Sequence, residues 1–323
     1  MTNTLAGFDY RSPYFYMVTL KAEPGARPFS EIGNFASSGG ADVFGTENFA
    51  GYLKPNGITR AFVEAITHFG DKWYCIEPIT CFIVMPDHIH LILKIENVPD
   101  RLSLPKLVWQ LRRALDRAYF SVVGGDSGAN GARSAVRHCL SGDWHHWIVL
   151  KRTHLAAFKR YIRENPYRAY IRRAHREYFA RKSTVPFLGR EWRAYGNLSL
   201  LELPVIAPFK GHRSTAEGSD EWNAIMAKAA QIGPGGAGIS TFMSPLEKAV
   251  REKIGEAGGN WIVLHPEGFA ERWHPGREYE RFCAEGRVLF LSLYDPLPHK
   301  PDKAQMYRRC HEMIDLVAAM DGD

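Results

Sequence analysis

Met85-Pro86-Asp87-His88-Ile89-His90-Leu91-Ile92-Leu93-Lys94 is the stretch whose reading decides the fold of the first half of the chain. Pro86 and Asp87 are turn formers. Ahead of them Trp73 to Met85 is a β-rich run interrupted by Pro78, and after them His88 to Lys94 is a second one. Two β-rich runs joined by a short turn predict an antiparallel hairpin. In a strand, residues i and i+2 point to the same face. The imidazoles of His88 and His90 therefore aim together, and neutral imidazole is a common metal ligand. Two polar histidines on the open face of a sheet fit the same spacing.

Upstream, Tyr14 to Lys21 reads as a strand, 24–57 as a long loop or insertion, and Thr59 to Phe69 as a helix with Ala61, Phe62, Ala65, Ile66 and Phe69 on one face. Downstream, Leu104 to Phe120 reads as a helix. Leu107, Leu111, Leu115 and Tyr119 line one side, and Lys106, Arg112, Arg113 and Arg117 the other. Residues 121–134 read as a flexible linker. Trp144-His145-His146-Trp147 fits either a base-stacking pair of aromatics or two core anchors flanking a polar turn. A helix is expected from about Thr153 to Asn165, where Pro166 removes a donor and restricts the residue before it. A basic helix should follow from Pro166 to Lys182. Tyr161 and Asn165 are four residues apart and share a helix face. A phenol can act as a nucleophile, an amide oxygen can complete a metal site, and the flanking Arg160 and Arg168 can hold phosphates. A tyrosine packed in a helix interface and an asparagine ending the helix fit that spacing too.

The charge distribution narrows the partners. The chain has 323 residues, 45% apolar and 24% charged, which suits two globular domains and excludes wholesale disorder or a fibre. No run of about 18 apolar residues predicts a membrane span, and the start of the chain lacks the basic and apolar regions of a secretory signal. Five scattered cysteines without a C-x-x-C suit a reduced, cytoplasmic setting. The net charge of +6 is unevenly spread: −4 over 1–100, +15 over 101–213 and −5 over 214–323. A basic, arginine-rich middle third interleaved with aromatics points to a nucleic-acid face. Arg112, Arg113, Arg117, Arg172, Arg173 and Arg176 are candidates for tracking a backbone.

The last third alternates strands and helices, which predicts a parallel α/β domain. Residues 183–215 read as a connector holding a strand-like Leu200 to Ala207. Gly233 to Ser240 reads as a glycine-dense turn before a helix capped by Ser244-Pro245-Leu246-Glu247. Such a turn at a helix start can bind phosphate, although it lacks Walker A spacing. Gly258-Gly259 should stop that helix. Trp261 to His265 and Arg287 to Tyr294 read as strands, and Glu278 to Ala284 and Lys303 to Met320 as helices. His265-Pro266-Glu267-Gly268 and Trp273-His274-Pro275 read as structural turns.

The Met-Pro-Asp-His-Ile-His-Leu stretch, with Tyr161-Ile162-Arg163-Glu164-Asn165-Pro166 after it, closely resembles the single-tyrosine HUH transposase superfamily, most of all the REP-associated tyrosine transposase type. The resemblance covers about residues 10–200. It implies an α+β ferredoxin-like HUH nuclease domain with the two histidines on a central strand; a smaller α/β Rossmann-like domain is expected after it from the strand–helix alternation and a separate resemblance of residues 236–295. The domains expected are 1–199 and 200–323. It also implies His88 and His90 as metal ligands, Asn165 in the position of the third ligand, Tyr161 as nucleophile, and Mg²⁺ or Mn²⁺ as cofactor. The partner implied is single-stranded or hairpin DNA, with no membrane, acted on by a monomer or homodimer. The reaction implied is cleavage and strand transfer through a 5′-phosphotyrosine link. Segment 24–57 and the C-terminal domain depart from compact family members, and bear on transposition more than on cleavage. Residues 236–295 loosely resemble the Rossmann-like domain of DNA-processing proteins, through Ser244-Pro245-Leu246-Glu247, the Ile262-Val263-Leu264 strand and Cys283-Ala284-Glu285-Gly286-Arg287. Alternative readings are a domesticated, non-catalytic hairpin-binding regulator and a metal hydrolase of small substrates. Retention of both histidines, Tyr161 and Asn165 favours the nuclease.

Overall fold

A computed structural model of the chain describes residues 7–35, 50–73, 75–96, 102–125, 136–212, 214–271, 273–297, 299 and 302–319. The chain divides into two compact units, Met1–Tyr170 and Ile171–Asp323.

The first unit runs β1 (Phe15–Ala22), β2 (Ser30–Ile32), β3 (Leu53–Pro55), α1 (Gly57–Lys72), β4 (Phe82–Val84), β5 (His88–Lys94), α2 (Leu104–Gly125), β6 (Leu140–Val149) and α3 (Arg152–Ala174) up to Tyr170, the last turn of α3 falling in the second unit. Among the described residues strands β2 and β3 pair only with each other, so segment 24–57 carries a small ribbon of its own, with 36–49 outside the described residues. The main sheet has the order β4-β5-β1-β6 with antiparallel neighbours throughout. Apart from the ribbon, the elements before α3 follow a β-α-β-β-α-β succession, with the two outer strands of the succession, β1 and β6, side by side.

Alternation along the strands sorts the residues of this sheet into two faces. Tyr16, Val18, Leu20, Ile89, Leu91 and Leu93 are buried on one face against α1 and α2. Leu107, Leu111, Leu115 and Tyr119 of α2 are all fully buried there, as their spacing requires. α1 begins at Asn56, whose side chain accepts from the Thr59 amide while the Thr59 hydroxyl accepts from the Asn56 amide. The opposite face holds Met17, Ile83 and Ile92, covered by Ile162, Leu155, Phe158 and Tyr161 of α3. His88 and His90 belong to this second face.

Three expectations are corrected here. Trp144 to Trp147 lies within β6 rather than on a turn leading to a helix. Pro166 does not stop the helix: α3 is continuous from Arg152 to Ala174 and carries Pro166 inside it. The segment after Ala174 is a short 3₁₀ turn (Arg176–Phe179) and then a strand, not a continuing basic helix. Residues 121–125 extend α2, and 126–135 of the expected linker lie outside the described residues.

The second unit runs β7 (Ala180–Phe187), β8 (Arg190–Gly196), β9 (Val205–Pro208), α4 (Asp220–Ala230), β10 (Gly236–Ser240), α5 (Pro245–Glu256), β11 (Asn260–Leu264), α6 (Arg277–Ala284), β12 (Val288–Ser292) and α7 (Lys303–Ala318). Its sheet has the order β7-β8-β12-β11-β10-β9. β9 to β12 are mutually parallel, and β8 and β7 extend the sheet antiparallel. β10, β11 and β12 are buried along their whole length, as parallel strands covered on both faces must be. α4, α5 and α6 supply the core on one face, and α7 with the 3₁₀ turn Leu198–Glu202 the core on the other.

The expected boundary at 199/200 therefore falls inside this unit, because β7 and β8 hydrogen-bond into its sheet. The expected connector 183–215 is largely structured, and the strand in it is Val205–Pro208. Nor is Gly233 to Ser240 an open turn. Its second half is β10, where a β-carbon on Gly238 would collide with Ile254. The glycines thus admit a close-packed strand, and the turn before it lies at the end of β10 away from Ser244. The capping box at Ser244 and Glu247 is present. The Glu247 carboxylate also accepts from the amides of Met243 and Ser244 and the Thr241 hydroxyl, so the unit's own anion occupies the start of α5. A cavity of about 840 Å³, lined in part by Lys210, His212, Met243, Lys303 and His311, opens beside it.

Candidate active site

β5 and α3 bring three of the four expected residues into ring contact. The His88 and His90 rings lie 4.5 Å apart between centroids, at 70° to each other. The Tyr161 ring stands edge-on to His90 at 5.3 Å. Asn165, one helical turn beyond Tyr161, is buried at 8% exposure. Tyr161 is half-buried and packs against the apolar patch that holds Met17, Ile92 and Ile162. The Arg168 guanidinium sits over the Tyr161 ring, 5.1 Å from its centroid.

Both imidazoles are oriented through Nδ1. His88 Nδ1 is 2.7 Å from Oδ1 of the exposed Asp87. The hydrogen bond with His88 holds the Asp87 carboxyl below the ordinary carboxylate range. His90 Nδ1 is 2.8 Å from the Thr19 hydroxyl, because the β1–β5 register sets Thr19 directly opposite His90. With Nδ1 engaged on each ring, Nε2 is the nitrogen left to bind a ligand. Burial pushes the His90 imidazole down to about 3, helped by the neighbouring His88 and opposed by Asp87. His90 is therefore neutral across the physiological range, the form a metal or a hydrogen-bonding partner needs. Among the described residues no cluster of three or more His, Cys, Asp or Glu side chains suited to a metal ion occurs.

The expected DNA-contact arginines divide among three places. Arg160 and Arg168 flank Tyr161 on α3, with Arg160 4.0 Å from Glu164. Arg112, Arg113 and Arg117 are on α2, across the sheet from the histidines. There Arg112 donates to the Leu140 and Gly142 carbonyls, tying α2 to β6, and Arg113 stacks on Trp109. Arg172, Arg173 and Arg176 belong to the second unit, with Arg172 over the Phe179 ring. In β6 the four residues alternate. Trp144 and His146 are buried on the α1–α2 face, and His146 is 3.0 Å from the Tyr10 hydroxyl. His145 and Trp147 lie on the histidine face, opposite Thr19 and Met17. Thr19 is the site residue that sequence reasoning passes over. A lone threonine in a strand carries no signal until the strand register is known.

No protein-family model matches the chain, and no curated protein matches it. Among solved structures, a REP-associated tyrosine transposase bound to a REP hairpin is similar at 11% identity over 51% of this chain and 74% of that one, with a TM-score of 0.28. DNA processing protein A from Helicobacter pylori, solved for its single-stranded DNA binding mode, is similar at 15% identity over 43% of this chain and 65% of its own, with a TM-score of 0.31. DNA processing protein A from Streptococcus pneumoniae is similar at 17% identity over 49% of this chain and 59% of its own, with a TM-score of 0.32. The chain thus spans less than two thirds of either DNA processing protein. The likeness to these DNA-processing proteins is weak, partial in coverage and specific to no one type. Among the described residues no helix is long and apolar enough to cross a membrane.

Proposed function

We propose that the first unit is a ferredoxin-like HUH nuclease that cuts and rejoins single-stranded DNA, at or beside a hairpin, with Tyr161 as nucleophile. The observation that carries this reading is the contact of the Tyr161 ring with His90, itself in ring contact with His88, each imidazole engaged through Nδ1. The β-α-β-β-α-β succession with β1 beside β6 supports the ferredoxin-like assignment. The alternating parallel strands and helices of the second unit support a Rossmann-like one.

The donor set fits a divalent ion. His88 and His90 would hold it through Nε2, and the Asn165 amide would be the third protein ligand. Two imidazoles suit a transition ion such as Mn²⁺ more closely than Mg²⁺, which prefers oxygen. When bound, such an ion supplies Lewis-acid polarisation of the scissile phosphate. The chain's own groups do the rest. Arg168 and Arg160 offer guanidinium donors to phosphate oxygens beside the nucleophile. The apolar patch packed against Tyr161 would restrict its ring and the approach of Oη to the phosphorus. Oη forms the new bond to phosphorus as the P–O3′ bond breaks. The phenol loses a proton and the departing 3′ oxygen gains one, so the step is proton-neutral. The products are a 5′-phosphotyrosine and a free 3′-OH. Attack by a 3′-OH on the phosphotyrosine reverses the step and joins strands without ATP, because the phosphoester energy is retained.

The test is incubation with labelled single-stranded hairpin libraries plus Mn²⁺. A covalent adduct should form on Tyr161. Tyr161→Phe should abolish it while leaving single-strand affinity within about tenfold, since only one hydroxyl is removed. An adduct that survives the change would move the nucleophile elsewhere.

A further inference from the structure

The proposed reaction leaves unexplained an aromatic side chain on the same sheet face. Trp147 of β6 is 60% exposed, although tryptophan in a strand ordinarily packs. Trp144 and His146 on the other face are 8% and 4% exposed, and Val149 on the same face is 6% exposed, so the exposure belongs to Trp147 and not to the strand. The register places it. Trp147 is opposite Met17, and Met17 is opposite Ile92, two residues from His90. The next row across the three strands is His90, Thr19 and His145. With strands about 4.8 Å apart and residues about 3.4 Å along, Trp147 lies about 12 Å from His90, the span of about two nucleotides of extended single strand.

The surroundings fit an anionic chain. Lys21 faces His88 from β1. Residues 140–170 carry six Lys or Arg against Asp143 and Glu164. Lys151 and Arg152 stand four and five residues after Trp147, at the start of the helix that carries Tyr161. An indole held on a rigid strand presents a flat π-face at little entropic cost, and every base has a face to lay on it.

We infer that Trp147 is a stacking platform for one unpaired base, about two nucleotides from the phosphate that Tyr161 attacks. It is a positioning residue that sets where on the single strand the cut falls. The inference rests on the nuclease reading above. A rival occupant is a second copy of this chain pairing along β6, which has no strand partner on its outer side among the described residues.

The test scans one abasic position along the single-stranded arm of a hairpin oligonucleotide. Affinity, cut position and the covalent adduct are recorded for the full chain with Mn²⁺. Wild type should lose about ten- to a hundredfold in affinity at one abasic position, the loss expected of one base–aromatic stack. Trp147→Ala should lower affinity for the intact strand by the same factor, become blind to that position and scatter the cut site. Trp147→Phe should restore most of the discrimination, which separates stacking from misfolding. Adduct formation with a scan unchanged by Trp147→Ala would overturn the platform and leave the nuclease standing. A Trp147-dependent scan without any adduct would do the reverse. A dimer in sedimentation that Trp147→Ala dissociates, again with an unchanged scan, would assign the residue to self-association and overturn the platform.

Discussion

His90 shows how much a single side chain depends on its neighbours here. Its ring is desolvated by the α3 patch and oriented by one hydroxyl, Thr19 Oγ1. Thr19→Val keeps the shape and removes that hydroxyl. Partners that orient a metal-bound imidazole usually contribute 10–100-fold to affinity. Mn²⁺ binding by calorimetry should weaken by about that factor, and an unchanged affinity would show that Thr19 does not orient the ring. The depressed proton affinity of His90 has a definite sign in stability. The unfolded chain takes up a proton at His90 near 6.5, whereas the folded one resists it down to about 3. The contribution is therefore complete above about 6.5 and is lost as pH falls towards 3. In metal-free buffer, wild type should lose melting temperature over that window faster than His90→Gln. The comparison matters because burial shifts His146 and His265 in the same direction.

At the scale of elements, α3 is the part that couples chemistry to binding on the proposed reading. It carries Tyr161, Asn165, Arg160, Arg163 and Arg168, and it lies over the histidine face of the sheet. α2 also carries arginines, three against the six of α3, yet it packs on the other face. Charge reversal of Arg160 and Arg163 to Glu should weaken single-strand binding and flatten its salt dependence, by about 0.7 in the log–log slope for each phosphate no longer neutralised. The same reversal at Arg113 and Arg117 should leave the slope unchanged. Equal effects from the two helices, in titrations over a range of salt, would mean that DNA is not confined to the α3 side. Pro166 is a local helix breaker that fails to divide α3. It removes one amide donor, but burial of Ile162, Asn165 and Ile171 around it holds both halves in one helix. Tertiary packing thus overrides local propensity.

For the whole molecule, the division at Tyr170 and Ile171 changes where the chain can be cut. A chain ending near 215 would keep β8 and β9 while losing their partners β12 and β10. It should aggregate or expose sheet edges. Residues 1–175, which end just after α3, should instead fold cooperatively by circular dichroism and keep the single-strand affinity of the full chain. A well-folded 1–175 with affinity reduced more than tenfold would place part of the DNA site in the second unit. The net −5 over 214–323 argues against a second grip there, since like charge repels phosphate.

The sequence by itself determined the hairpin, the shared direction of His88 and His90, the buried stripe of α2 and the alternating strands and helices of the last third. These follow from local periodicity, turn chemistry and capping, all of which are written within a few residues. Tyr161 was legible as a candidate because its neighbours form a recognisable run, and Ser244 with Glu247 because a capping box is local. Only the tertiary structure decided that β6 is a strand, since Trp144-His145-His146-Trp147 alternates too briefly and with too many polar groups to declare itself. The same holds for Thr19 and Trp147, whose significance comes from register across β5, β1 and β6. It holds also for Gly233 to Ser240, where the same glycines that permit a phosphate loop permit a crowded central strand. Spacing along the chain is a local quantity, whereas the choice of face, partner and depth is made by what packs against it.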